Sequence, residues 1–192
     1  MSDCFQRALA AREHRCLGFR LRPLCIGHLF TLYAIDSPFL ATRETPVTAH
    51  DLATAVYVCA HPPRAGTRTL DGLSARAAAW VLGWICSRRN LQAECDAFAE
   101  YLRDGCDSPG VKHDPRVSGS GTCGTPLPWQ LLAMLWATFG IDADHAADMT
   151  VLRANALLAA HGEATGRLQL WTPDDQSFVD WCQEQDRISM AN

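Results

Sequence analysis

The sequence has no apolar run approaching the roughly 20 residues that a membrane-crossing helix needs. Residues 1–15 are charged throughout and lack the apolar core of a secretion signal. Both absences predict a protein that works in the cytoplasm. An excess of basic residues is also missing, since 17 Lys and Arg stand against 21 Asp and Glu for a net charge of −4. General nucleic-acid binding needs a basic face that neutralises phosphate, so neither nucleic acid nor a membrane is expected as a partner. No repeat of fixed period is visible, which excludes a solenoid.

The usual carriers of chemistry are equally scarce. There is no GxSxG elbow, and Gly119-Ser120-Gly121 lacks the Lys-Ser/Thr continuation of a phosphate-binding loop. The acid pairs Asp142/Asp144 and Asp174/Asp175 stand where helices begin, so capping accounts for them. Nine cysteines, at 4, 16, 25, 59, 86, 95, 106, 123 and 182, are many, but the number is odd and no two have CxxC spacing. Most fall inside apolar helical patterns, which predicts reduced, buried thiols. Cys25 and His28 are three residues apart on one helix face, and packing is the expected role of both. Cys106, His113 and Cys123 form a local group of metal-ligand types, yet the gaps are irregular and a fourth ligand is missing. No catalytic residue, metal or cofactor is therefore expected.

What the chain does contain is helical signal. Its 192 residues fit one domain able to bury roughly 70% of its unfolded surface. Residues 3–13 read as a first helix capped by Ser2. Residues 15–22 alternate Leu17, Phe19 and Leu21 with Gly18, Arg20 and Arg22, an extended edge that ends at Pro23. A buried helix over 25–35 stops at Ser37-Pro38. Thr48-Ala49-His50-Asp51 is a capping box for a helix that ends before Pro62-Pro63. Residues 75–85 are apolar nearly all round and predict a core helix carrying Trp80 and Trp84. A break at Arg88-Arg89-Asn90 precedes an amphipathic stripe of Leu91, Cys95, Phe98 and Leu102. Residues 105–125, rich in Gly, Ser, Pro and Asp, read as a long surface loop or linker. Pro126 or Pro128 opens a strongly apolar helix that ends at Gly140. Asp142 or Asp144 caps a short helix, and Thr150 caps one rich in small residues. Thr172-Pro173-Asp174-Asp175 starts a last helix with Phe178, Trp181 and Cys182 inward. Of the six tryptophans, core packing is expected for all but Trp171, which precedes a cap and has room to be exposed.

The expectation is an all-α, compact multi-helix domain with a short extended N-terminal segment and a long Gly/Ser/Pro-rich loop. Its parts are residues 1–104, a loop over 105–125, and residues 126–192 packed on the first part. Arg7, Arg12, Arg15, Arg20 and Arg22 make the beginning basic, and Asp174, Asp175, Asp180, Glu184 and Asp186 make the end acidic. Beyond two solvated faces, that asymmetry raises the prospect of attraction between the ends or to charged partners.

Two blocks carry a resemblance. The first runs from Leu17 to Ala60. In the second, Pro128-Trp129-Gln130-Leu131-Leu132 opens a helix ending at Gly140, and Met149-Thr150 with Arg153-Ala154 leads to Ala159-Ala160-His161-Gly162. Together, over about half the chain, they resemble tail assembly chaperones encoded among phage and prophage tail genes. The resemblance implies a non-enzymatic protein that binds the helical tape-measure protein, or another tail protein, in the bacterial host cytoplasm, with a homo-oligomer also possible. A holdase needs an apolar face for amphipathic helices, and the surface expected to supply it is Val151, Ala154 and Leu158 with Trp171. A tail adaptor or completion protein, or a small helical cysteine- or metal-dependent enzyme, is the alternative.

Overall fold

The computed structural model describes residues 3–10, 12–40, 46–63, 73–110 and 124–170, together with residues 172, 175, 177 and 181. It is mostly helical. In chain order the elements are α1 (Asp3–Leu9), β1 (His14–Cys16), β2 (Phe19–Leu21), α2 (Ile26–Ala34), a 3-10 turn at Pro38–Leu40, α3 (Ala49–Ala60), α4 (Leu73–Ser87), α5 (Leu91–Gly105), α6 (Leu127–Phe139), α7 (Ala143–Asp148) and α8 (Val151–Ala164).

The purely all-α expectation is corrected at residues 14–21, where the chain pairs with itself. β1 and β2 form an antiparallel hairpin with His14 opposite Leu21, Arg15 opposite Arg20 and Cys16 opposite Phe19. Its two-residue loop has φ +54° at Leu17 and +83° at Gly18, the doubly positive geometry that matches strand twist. Leucine rarely adopts this conformation. Here the burial of its side chain and a hydrogen bond from its N–H to the Glu94 carboxylate oppose the strain.

Caps set the helix limits. Thr48 and Asp51 form the reciprocal box that opens α3, Asn90 accepts the Ala93 N–H at the start of α5, and Asp142 and Thr150 accept the amides of His145 and Arg153. Gly140, at φ +67°, closes α6. Residues 111–123 of the expected loop lie outside the described residues.

One core joins the elements. Ile26, Leu29 and Leu32 of α2 meet Leu52 and Val56 of α3, Phe98 of α5, Leu131 and Leu135 of α6, and Val151 and Ala154 of α8. α2 touches α3, α6 and α7, α1 lies on α8, and α4 packs along α3. The extended residues that precede α2 and α8 also pair. Cys25 faces Thr150 in an antiparallel bridge, the Ile26 N–H donates to Met149 O at 3.0 Å, and the Val151 N–H donates to Leu24 O at 2.9 Å. Gly27 permits the close approach of α7, because a Cβ there would lie 2.7 Å from Pro63 Cβ and 3.0 Å from the Ala147 carbonyl oxygen.

Candidate functional site

The residues expected to bind a partner do not form one exposed face. Val151 and Ala154 are fully buried, and Leu158 is half-buried against the same core. Their small and branched side chains fill the seam between α8 and its neighbours, so the fold itself uses them. Trp171 lies outside the described residues.

The exposed apolar surface is elsewhere, and it corrects the reading of the tryptophans as core. Trp80, Trp84, Trp129, Trp136 and Trp181 are each at least half exposed, from 50% at Trp84 to 74% at Trp80. α6 shows how this arises. Pro128, Leu131 and Leu135 form its buried stripe. At about 100° per residue, Trp129, Ala133, Trp136 and Gly140 fall on the opposite side, and all are exposed. Leu127 and Met134 on the flank are exposed as well. Phe30 of α2 meets Trp129 edge-on at 4.9 Å, which steadies the ring without covering it. No charged residue occurs from Gly124 to Ile141. The result is an aromatic face with the small residue Ala133 between its two rings and no charge of its own segment to solvate it.

α4 also departs from expectation. Leu82 and Cys86 point into the core, while Trp80, Val81 and Trp84 face solvent. Exposed clusters of large apolar side chains are uncommon on soluble monomers and mark interaction surfaces, and Trp and Met are among the residues enriched there.

Several thiols and the His28 imidazole are packed into the fold. His28 is buried, its Nδ1 accepts the Cys25 N–H at 3.2 Å, and its Nε2 lies 2.9 Å from the His61 carbonyl oxygen, which fixes the neutral Nε2–H tautomer. Desolvation, reinforced by the charge of Arg22, holds its pKa below the ordinary 6.5 against the His61 hydrogen bond. Burial pushes the Cys25 and Cys106 thiols up to about 11 and Cys59 to about 12, so these thiols are protonated at neutral pH. Cys16, Cys25, Cys59, Cys86, Cys95 and Cys106 are free thiols. His113 and Cys123 lie outside the described residues, and among the described residues no cluster of three metal-ligand side chains occurs.

A cleft of about 310 Å³ lies between α1, the hairpin, α5 and the start of α8, lined among others by Arg7, Arg12, His14, Tyr101, Asp104 and Arg153. Asp104 gathers several of its basic groups. It lies 3.2 Å from His14 Nε2, 3.6 Å from Arg12 and 3.9 Å from Arg7, and Arg7 also donates to Asp107. Arg7 and Arg12 therefore find acids on and after α5, while Arg20 pairs with Glu13 inside the hairpin region. Comparison with family models, with curated proteins and with solved structures finds no match to this chain.

Proposed function

We propose that the chain is a non-enzymatic binding protein that holds amphipathic helices of a partner against the exposed aromatic face of α6. The observation that carries this reading is the pairing of Trp129 and Trp136 across Ala133 on the solvent side of an uncharged helix. A small residue between two large rings makes a shallow groove, and an apolar helix stripe laid into it removes both rings from water. Covering one such side chain is worth about 2 kcal/mol, so two rings supply much of the energy of a reversible holdase complex. The resemblance to phage tail assembly chaperones supplies the partner's name, a tape-measure protein, and the setting, the cytoplasm of a bacterial host.

Co-expression with the tape-measure protein encoded in the same gene neighbourhood tests this directly. A complex is expected to co-purify, and Trp129→Ser combined with Trp136→Ser weakens it about 30-fold or more while leaving the circular dichroism spectrum unchanged. A strict monomer by light scattering that captures no tape-measure protein, or a neighbourhood that encodes none, overturns the reading.

A further inference from the structure

α4 carries a second face with a different chemistry. Arg76, Trp80, Trp84 and Arg88 recur every fourth residue and all are exposed. At about 100° per residue they span an arc of about 120°, centred opposite Leu82, the residue that anchors the helix in the core. The ladder runs cation, ring, ring, cation. Arg88 stacks on Trp84 with its guanidinium carbon 4.1 Å from the ring centroid. No acidic residue occurs between Leu73 and Asn90. Arg89, by contrast, is held by Glu94 at 2.8 Å. Among the described residues no carboxylate pairs with Arg76 or Arg88. Gly83 sits beside the rings, and a Cβ built there meets nothing within 4 Å, so the middle of the face is open to a close approach.

We infer that this face of α4 docks an acidic amphipathic helix of the partner, its apolar stripe on Trp80 and Trp84 and its carboxylates on Arg76 and Arg88. The inference rests on the reading of the chain as a protein-binding module and adds the charge of the segment it recognises. Arg76 and Arg88, the latter just past the helix end, are about 18 Å apart in backbone rise at ~1.5 Å per residue, with the Arg88 guanidinium turned back over Trp84, so the two cations bracket the rings from either end. A nucleic-acid strand presents a phosphate at every nucleotide and stacks bases on open rings. Here two cations frame an apolar centre, and one of the two ring faces is already covered by Arg88. An interfacial membrane helix needs a broad apolar face, and α4 offers only the strip left over from packing on α3.

The test uses the full chain and two synthetic amphipathic helical peptides with the same leucine stripe, one flanked by glutamates and the other by lysines. Calorimetric titration at low salt is expected to show the glutamate peptide binding about tenfold tighter than the lysine peptide, with the difference shrinking as salt rises. Gly83→Glu places a like charge in front of the acidic peptide and weakens it about tenfold, whereas Gly83→Lys does not. Both variants stay folded, since the new side chain projects into open space and helix propensity favours either residue over glycine. Equal binding of the two peptides, an unaffected Gly83→Glu variant, or binding of oligothymidine or phosphatidylglycerol vesicles in place of peptide overturns the proposal. Loss of the peptide with tape-measure capture intact sinks the α4 proposal alone. Loss of capture with peptide binding intact sinks the α6 reading alone.

Discussion

At the scale of the residue, His28 is the group whose state the fold most constrains. Its two nitrogens are committed to Cys25 and His61, and burial disfavours its charged form. In the unfolded chain the imidazole titrates near 6.5, and in the folded protein below that value. Between the two, the unfolded chain holds a proton that the folded protein lacks, so stability rises with pH across the interval. Its contribution is complete above about pH 7 and is lost as the pH falls through 6.5 toward the folded pKa. Thermal unfolding followed between pH 5 and 7.5 is expected to show this fall. In His28→Gln, whose amide can accept from Cys25 and donate to His61, the slope flattens. An unchanged slope in that variant would assign the acid sensitivity to another group. Sequence order alone put Cys25 and His28 on one helix face and read both as packing, and that holds. His61, the partner across the core, was invisible because nothing in the spacing says which carbonyl of α3 ends up beside α2.

At the scale of the element, the caps were the legible part. Thr48 with Asp51, Gly140, Thr150 and Asp142 (of the pair Asp142 or Asp144) all work locally, and a local interaction can be read from neighbouring letters. Asn90, read only as part of a break, caps α5 in the same way. The hairpin was hidden because its turn begins with a leucine, a residue that costs about 1–2 kcal/mol in left-handed geometry, so residues 15–22 read as one extended edge. The second turn residue follows the ordinary rule. Gly18→Ala is expected to destabilise the protein by about 1 kcal/mol, measured by urea unfolding, because any Cβ at φ +83° is strained. An unchanged midpoint would show that the turn relaxes to another type. The tryptophans failed for a different reason. α4 and α6 are apolar around most of their circumference, so periodicity cannot say which side faces the core, and that choice belongs to the elements packed against them. Leu82 and Leu135 took the inner positions, which left Trp80 and Trp136 outside.

At the scale of the whole molecule, α2 packs on α3, α6 and α7, and Gly27 is a point where the α7 backbone approaches it closely. Gly27→Ala drives a methyl group against a backbone carbonyl that cannot swing aside. Such overpacking costs about 1–3 kcal/mol. Urea unfolding is expected to shift by that amount, and a shift under 0.5 kcal/mol would mean that α7 moves freely to make room. The bridge between Cys25 and Thr150 has a consequence of another kind. It joins positions so distant that closing the intervening chain, were it flexible, costs about 4 kcal/mol of entropy. On a ribosome, the strand pairing beside α2 cannot form until residue 151 has left the exit tunnel, so the first half of the core waits with Ile26 and Leu29 unsealed. Pairings between such distant segments form late, and apolar surface left open until then is exposed to aggregation. The chain thus begins its own existence with the apolar side of α2 bare.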